Sequence, residues 1–412
     1  MTFGMIVVLG LLIWVFVALI WKVVDPIIVG VSVPVILALT GISNPSKVFS
    51  DFSNPTVLFF MSIFIIGKAI MKTGLADYIG STVINAIGHT GKRLNTSVAV
   101  VSGGMSAFLN DTGTTGCLMP IVNAMAQKAN ISVSKVYMTL AFFASLGGTC
   151  TLVGTTPNII ASGILEKAGY MGLGFFEIGI VGIPITILSF IYVYFFSNKL
   201  LPERIPSEPL TEYKINYDRK GMFITLAVFL FLVLSLAFKV IPYHLAAIIG
   251  SIIIVITGCI TVDEAISSFN MPTLFLVAGI FPLSAAMSST GLAKMFVDIV
   301  SQYASGVSPF IAILIIIGLT TLLTQFMMGT SLSAIMLPIG VIYSEAMGID
   351  ARGVVMGIAV ATSLAFCTPF GTGPNLLIWK PGGYEVSDYV KMGLPIVIGT
   401  WIISSLIIYF VY

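Results

Sequence analysis

The sequence predicts an all-α polytopic membrane protein built from two inverted repeats of five transmembrane helices, each with a re-entrant helical hairpin and an interrupted helix. Of the 412 residues, 57% are hydrophobic and only 9% are charged, whereas a soluble domain carries about 25% charged residues. Because so few charges cannot cover a water-soluble surface, most of the surface must face lipid. The second observation is that the same apolar and polar blocks occur twice along the chain.

Eight apolar stretches are predicted to cross about 30 Å of hydrocarbon as helices that rise about 1.5 Å per residue. They cover residues 5–21, 26–40, 56–71 and 175–196 in the first half, and 222–238, 243–260, 273–288 and 393–412 in the second. Between the third and fourth stretch of each half lies apolar sequence that Gly, Thr, Asn and Pro interrupt. Polar backbone at membrane depth must be buried in protein or lie in water. These two segments are therefore candidates for hairpins and broken helices.

Short blocks of the first half recur 217 residues later in the second half. They are Lys22-Val23 and Lys239-Val240, Pro55-Thr56 and Pro272-Thr273, Thr73-Gly74-Leu75-Ala76 and Thr290-Gly291-Leu292-Ala293, and Cys150-Thr151 and Cys367-Thr368. A constant separation over such a length indicates an internal duplication. Because five crossings per copy is an odd number, the second copy starts on the opposite face and the repeats are inverted.

The first repeat is predicted to cover residues 1–196, with its hairpin at about 95–127 and its broken helix at about 134–165. Residues 197–221 are rich in charge and are predicted to form a cytoplasmic linker. The second repeat covers residues 222–412, with its hairpin at about 308–348 and its broken helix at about 352–379. Most basic residues of the predicted loops fall on the face of the linker, which the positive-inside rule makes cytoplasmic. We therefore expect a multi-pass protein of the plasma (inner) membrane with both termini outside the cytoplasm.

Composition disfavours several classes of protein. A net charge of +2 without a basic stripe offers no surface for nucleic acid. His89 and His244 lie near predicted span ends, where an interfacial position is more common than metal ligation. The four cysteines show no CxxC or CxxH spacing, so neither disulfides nor structural zinc is expected. Because no nucleophile, base and metal cluster is recognisable, we expect neither an enzyme nor a bound cofactor.

A polar tripeptide, Asn110-Asp111-Thr112, interrupts the apolar sequence of the first predicted hairpin and is expected to form its tip near the membrane midplane. Asp111 is the one acidic residue predicted within a hydrophobic segment, and an intramembrane carboxylate is a functional candidate by default. It could bind a cation such as sodium, together with neighbouring oxygen ligands, or carry a proton. The alternative is that Asp111 only caps one helix of the hairpin.

The interrupted helices provide the second candidate feature. A helix cannot pass through Pro157 without losing backbone hydrogen bonds, so freed carbonyls can face an ion. The half-helix that starts near Asn158 directs its amide donors towards the same cavity, which favours an anionic group. The second copy repeats this pattern at Pro374 and Asn375. Its hairpin tip, Met328-Gly329-Thr330-Ser331, has no carboxylate, so the two sites are expected to be unequal.

With these features the chain resembles the divalent anion/sodium symporter family of the ion transporter superfamily. The resemblance rests on one hairpin per repeat, on tips eight residues before Pro120 and Pro338, and on two loops. The loops are Gly154-Thr155-Thr156-Pro157-Asn158 and Gly371-Thr372-Gly373-Pro374-Asn375. It implies a homodimer in which a scaffold domain holds the dimer while a transport domain moves like an elevator. It also implies that di- or tricarboxylates or sulfate are carried with sodium.

The sequence departs from the family at the tips. Of the family's Ser-Asn-Thr signature at each tip, only Thr112 and Thr330 match, and the Asn110-Asp111 pair is closer to arsenite or sodium/proton transporters of the superfamily.

The combined interpretation is a secondary active transporter, not an enzyme, in which sodium or protons drive symport of a small anion. The alternative is a cation/proton antiporter, or a transporter of arsenite or another inorganic anion, that uses Asp111. The candidate cation ligands are Asn110, Asp111, Thr112, Thr151 and Thr155 in the first site, with sodium at the first three, and Thr330, Ser331, Thr368 and Thr372 in the second, weaker site. The candidate substrate contacts are Thr112, Asn158, Thr330 and Asn375. Lys68 is predicted to lie within a span, and no lysine or arginine is expected in the cavity. Bound cations and half-helix ends would then balance the anion.

Overall fold

The computed structural model describes residues 1–21, 23–88, 92–204, 217–238, 240–303 and 306–412. Regular structure in these residues is helical, which confirms the all-α prediction. The helices of the first half are α1 Phe3–Ile20, α2 Pro26–Leu39, α3 Pro55–Lys72, α4 Leu75–Ile87, α5 Lys92–Ser106, α6 Asp111–Lys128, α7 Tyr137–Gly148, α8 Thr156–Lys167 and α9 Gly179–Leu200. Those of the second half are α10 Arg219–Phe238, α11 Tyr243–Ile256, α12 Val262–Ser267, α13 Met271–Ser289, α14 Leu292–Tyr303, α15 Pro309–Thr324, α16 Gly329–Met347, α17 Ala351–Thr362, α18 Gly373–Trp379 and α19 Val386–Val411.

The protein is a multi-pass membrane protein. Among the described residues, six helices are long and apolar enough to cross a bilayer, or seven if the bent pair α6 and α7 counts as one span. The six are in α3, α9, α10, α13, α16 and α19. Ten crossings would also need shorter apolar helices, such as α2 and α11, to span the membrane, and this number stays a prediction.

Corresponding helices of the two halves make corresponding contacts. Helix α2 packs against α13 and α3 against α11, so α2 and α3 each contact the second-half counterpart of the other. In the same way α8 packs against α17, and α18 against α7. These exchanged contacts are those expected of a duplicated chain, whereas the inverted orientation of the repeats stays a prediction.

Two amphipathic helices, α4 and α14, were not expected from the apolar stretches. They follow α3 and α13 respectively, each after a sharp corner where Gly74 and Gly291 adopt φ values of 79° and 80°. Glycine adopts this left-handed conformation without a steric penalty. The four-residue block that recurs in the sequence is therefore the corner that joins α3 to α4 and α13 to α14. An amphipathic helix lacks a continuous apolar stretch, so neither helix is predicted as a membrane span from the sequence.

The predicted linker, residues 197–221, is shorter in the structure because α9 continues to Leu200 and α10 begins at Arg219. Its central part, residues 205–216, lies outside the described residues, as do Lys22, Lys239 and His89. Arg204 is bound firmly: its guanidinium lies 3.2 Å from carboxylate oxygens of Glu385 and Asp388. The start of the linker is therefore attached to the N-terminal end of α19.

The helices form two packed groups. The scaffold group consists of α1, α2, α3, α10, α11, α12 and α13, and the hairpin group consists of α5 to α9 and α15 to α19. Within each group the helices contact one another extensively, whereas α8 and α16 are the hairpin-group helices that contact α13. Helices α4 and α14 follow the last scaffold helix of each half and pack against α5, α6 and α16. The division into two groups positions the cavity described below, because it lies between them.

Close helix contact in the hairpin group depends on a glycine. A Cβ atom at Gly147 in α7 would lie 2.1 Å from the Gly103 carbonyl oxygen in α5. Because the helix backbone fixes the position of the Cβ atom and the carbonyl oxygen is itself a backbone atom, no rotamer change can relieve this contact. We expect Gly147→Ala to lower the free energy of unfolding by about 1–3 kcal/mol and to lower the melting temperature of the detergent-purified protein. Gly104→Ala, where no atom lies within 4 Å of the added Cβ, is the matched control and is expected to melt like the wild type. Equal melting temperatures for the two variants would contradict the predicted close contact.

Candidate functional site

A cavity of about 770 Å³ lies between the scaffold group and the hairpin group. The first residues of α6, α8, α16 and α18 line it. A helix N-terminus presents unpaired amide hydrogens and the positive end of the helix dipole. Several such ends around one cavity favour the binding of negative charge. The opposite wall is formed by α3, α10 and α13 and is largely apolar, with Phe64 and Phe229 among its residues.

The first tip, residues 110–116, carries the cavity's carboxylate. Asn110 caps α6, since its Oδ1 accepts hydrogen bonds from the amides of Thr112 at 3.0 Å and Gly113 at 3.4 Å. Asp111 is the first helical residue, and its Oδ1 accepts hydrogen bonds from the Thr112 amide at 2.6 Å and hydroxyl at 3.2 Å. Its Oδ2 has no hydrogen-bond partner among the described residues. The capping role therefore belongs to Asn110, and one carboxylate oxygen of Asp111 stays available for a ligand.

The second tip, residues 328–331, is built differently. Gly329 occupies the position that corresponds to Asp111, 218 residues later in the chain. A Cβ atom at Gly329 would lie 2.0 Å from the Thr362 carbonyl oxygen, and the Gly329 amide donates to the Gly371 carbonyl at 3.2 Å. The backbone of this tip is therefore packed directly on α17 and on the loop before α18. Thr330 and Ser331 follow in the first turn of α16 and line the cavity.

Both interrupted helices are braced by an asparagine. The Asn158 amide donates to the carbonyls of Gly148 at 3.0 Å and Thr151 at 2.8 Å. The Asn375 amide repeats this with Ala365 at 2.7 Å and Thr368 at 3.1 Å. Each side chain thereby connects the two ends of a break. The Oδ1 atoms of both asparagines are buried without a hydrogen-bond partner in the described structure.

In each half, one threonine of the broken helix bonds to the backbone just before the tip. The Thr151 hydroxyl donates to the Ala107 carbonyl, and the Thr368 hydroxyl donates to the Gln325 carbonyl at 2.6 Å. The predicted site residues thus fall into two sets. Those that line the cavity are Asn110, Asp111, Thr112, Thr155, Thr330, Ser331 and Thr372. Those that lie behind its lining are Thr151, Asn158, Thr368 and Asn375.

Contacts between the halves join the two loops at the cavity. The Thr155 hydroxyl lies 3.0 Å from the hydroxyl of Ser363 at the end of α17. Thr112 abuts the other loop, since a Cβ atom at Gly373 would lie 2.2 Å from the Thr112 hydroxyl oxygen. The Thr372 hydroxyl is buried without a hydrogen-bond partner in the described part of the chain. Sequence analysis missed Ser363 because it belongs to neither of the repeated loops.

The expectation that no lysine or arginine lies in the cavity was wrong, because Lys68 of α3 is among the lining residues. Lys68 follows Phe64 by one turn and precedes Met71, and these residues share the face of α3 that lines the cavity. The sequence places Lys68 within a span but does not show which face of that helix it occupies. A lysine in an otherwise apolar span is itself a signal of a functional position.

We expect the asparagine braces to be required for stability. In Asn375→Ala, two carbonyl groups that are bonded in the wild type would lose their donor in a buried site, which costs about 1–3 kcal/mol. The melting temperature of the purified protein should fall accordingly, and Asn158→Ala should behave in the same way. Asn123→Ala serves as the control, because this residue of α6 bonds only at the surface, to Gln127. If Asn375→Ala melts like Asn123→Ala, the brace has no energetic role.

The cavity is enclosed by apolar helices, and helix N-termini and two charged side chains line it. These are features of membrane transport proteins. Residues 16–350 match the family described as citrate transporter, and residues 289–412 match the sodium:sulfate symporter transmembrane region. The chain belongs to the citrate transporter family, and its resemblance to the divalent anion/sodium symporters is confirmed.

Curated relatives carry names of this class, and two solved structures share the fold. The protein named sodium-dependent dicarboxylate transporter SdcS of Staphylococcus saprophyticus is 24% identical over 93% of this chain and 82% of its own length. Its namesake in Staphylococcus aureus is 26% identical over 92% of this chain and 80% of its own length.

The fold is similar to the YdaH transporter of Alcanivorax borkumensis, with a TM-score of 0.67 at 14% identity over 89% of this chain and 87% of that one. It is also similar to MtrF of Neisseria gonorrhoeae, with a TM-score of 0.64 at 14% identity over 91% of this chain and 83% of that one. The chain is therefore a transporter of the divalent anion/sodium symporter type rather than an enzyme.

Proposed function

We propose that this transporter couples sodium movement into the cell to the uptake of a small anion, in particular a di- or tricarboxylate. The observation that carries the proposal is the pairing of one intramembrane carboxylate, Asp111, with several helix N-termini around one cavity. The carboxylate attracts a cation, and the helix ends attract an anion. The names of the relatives, sodium-dependent dicarboxylate transporters, support the same coupling ion and substrate class.

Sodium would bind at the first tip between Asn110, Asp111 and Thr112, with Thr155 as a further oxygen ligand. Hard cations are bound by carboxylate, amide, hydroxyl and carbonyl oxygens, all of which occur within this part of the cavity. Thr151 would contribute from behind, through its hold on the backbone of the tip. The second site would use the neutral oxygens of Thr330, Ser331 and Thr372 and would bind a cation more weakly, while Thr368 would contribute from behind through its hydrogen bond to the Gln325 carbonyl. A proton on Asp111 is the alternative coupling ion.

The anion would lie between the two tips. Thr330 stands in the first turn of α16, so its hydroxyl and amide groups can donate to an oxyanion. Thr112 stands in the first turn of α6 and would have to release the hydrogen bonds that its amide and hydroxyl donate to Asn110 and Asp111. Asn158 and Asn375 would act on the substrate site by holding the interrupted helices that border it. A cation bound at each tip would add to the positive potential of the helix ends.

Transport would proceed by an elevator movement of the hairpin group against the scaffold group. The two groups are packed internally and enclose the cavity between them, which suits a rigid-body displacement. We further propose that the scaffold group forms a homodimer in the inner membrane, with both termini on the extracytoplasmic side. Alternating access of this kind is common among transporters with internal repeats.

A cation/proton antiporter or a transporter of arsenite is the second candidate, and the specific feature that favours it is the Asn110-Asp111 pair. Uptake into proteoliposomes separates the candidates. Labelled succinate, citrate, sulfate and arsenite are offered with an inward sodium gradient, a pH gradient or neither. Uptake of succinate or citrate that requires the sodium gradient is expected. Arsenite uptake alone, or proton efflux driven by sodium without any anion, would overturn the symport proposal.

A further inference from the structure

Lys68 lies in the cavity without a partner. Its side chain is exposed there, and it forms no hydrogen bond or ion pair with any described residue. Lys72, one turn further along α3, differs in both respects, because its ammonium lies 2.5 Å from the Glu264 carboxylate outside the cavity. A lysine near a helix end can extend to the interface and remain hydrated there. Lys68 instead lines the same cavity as the two tips.

The charges of the cavity are unbalanced once a cation has bound. Among the described lining residues, Lys68 is the only basic and Asp111 the only acidic side chain. Both come from the first half, and the corresponding positions of the second half are Ala285 and Gly329. A cation on Asp111 leaves the ammonium of Lys68 as a net positive charge in a site with apolar walls. An ammonium without a partner attracts a negatively charged group of a ligand.

Lys68 and the tips lie on opposite walls. Helix α3 packs with α10, α11, α12 and α13 in the scaffold group, whereas Thr112 and Thr330 belong to the hairpin group. A substrate with one anionic group can be attracted either to the tips or to Lys68. A substrate with two anionic groups can contact the helix ends at the tips and Lys68 at the same time. A cavity of about 770 Å³ is within the usual range for a small ligand.

We propose that Lys68 binds the second anionic group of a small dicarboxylate and thereby makes the cavity select dicarboxylates over monocarboxylates of the same length. This inference rests on the proposed anion transport and deepens it. Because Lys68 belongs to the scaffold group, it would contact the substrate in the arrangement of the two groups seen here. After an elevator movement the substrate would leave Lys68 behind, which would favour release on the other side.

The test is calorimetric titration of the purified full chain, with sodium present, using succinate and its monomethyl ester. The wild type is expected to bind succinate more tightly than the ester. Lys68→Gln should weaken succinate binding by about tenfold, which corresponds to about 1.4 kcal/mol, and leave binding of the ester unchanged. Lys68→Arg should retain most of the preference for succinate. Lys72→Gln, which removes a charge from the same helix outside the cavity, should bind both compounds like the wild type.

The outcomes separate this inference from the proposed function. If the wild type binds neither compound, dicarboxylate transport itself fails, and the inference falls with it. If the wild type prefers succinate and Lys68→Gln keeps this preference, only the role of Lys68 is overturned. Equal loss of both ligands in Lys68→Gln would also overturn it, because a structural role would produce that result. Lys68→Met, which keeps the length of the apolar stem, repeats the test if Lys68→Gln does not fold.

Discussion

Replacement of Asp111 by asparagine is expected to remove most of the sodium dependence of transport while the protein stays folded. The amide has the shape of the carboxylate and can still accept the hydrogen bonds from Thr112, and Asn110 still caps α6. What is lost is the negative charge beside the bound cation. We expect the sodium concentration for half-maximal uptake to rise by about tenfold or more, equivalent to at least about 1.4 kcal/mol. The measurement is succinate uptake into proteoliposomes as a function of sodium concentration.

The matched control is Glu264→Gln, which also removes one carboxylate charge. Glu264 is not a cavity residue, and its hydrogen bond from Lys72 lowers the pKa of its carboxyl to about 2. It is therefore ionised at neutral pH, and its neutralisation should leave the sodium requirement as in the wild type. An Asp111→Asn protein whose sodium dependence equals that of Glu264→Gln would rule out Asp111 as a cation ligand. Lys68→Gln is expected to do the reverse, with altered succinate affinity and an unaltered sodium requirement.

Gly329→Ala is expected to abolish transport and to destabilise the protein. The added Cβ would lie 2.0 Å from the Thr362 carbonyl oxygen, which is also backbone, so the second tip would have to move away from α17. Overpacking of this kind costs about 1–3 kcal/mol or more. Uptake and the melting temperature should both fall. Gly113→Ala is the control at the first tip, where the nearest atom, the Met71 sulfur, would lie 3.6 Å away. The variant is expected to transport normally, and equal activity of the two variants would contradict the close packing at Gly329.

The same contact explains why the two tips are unequal. Gly329 stands where the first half has Asp111, and there is no space for any side chain at this position. A second carboxylate could therefore not be introduced by Gly329→Asp without moving the tip. The asymmetry of the predicted cation sites follows from backbone packing as well as from composition. Among the described lining residues both charged side chains, Lys68 and Asp111, come from the first half, since Ala285 and Gly329 occupy the corresponding positions of the second half.

The sequence was sufficient for the membrane class, the duplication and the position of the first tip. Low charge and long apolar stretches indicate that the chain is surrounded by lipid, and both properties are visible in the sequence without knowledge of the packing. Asn110, Asp111 and Thr112 interrupt an apolar sequence, and the cost of polar groups in lipid is enough to predict a tip at this position. The block around Gly74 was visible as a repeat, but its role as a corner required the backbone angles.

The tertiary structure alone decided which side chains meet. The sequence places Lys68 in a span, but the direction in which it points depends on how α3 rotates about its axis when it packs against α11. Thr155 and Ser363 are 208 residues apart and meet only because the broken helix of one half contacts α17 of the other. The sequence also did not show that Asn158 and Asn375 brace the breaks. The carbonyl groups that accept their hydrogen bonds are brought close only by the folded path of each broken helix. Helix rotation and contacts between the halves are set by packing, which no local pattern encodes.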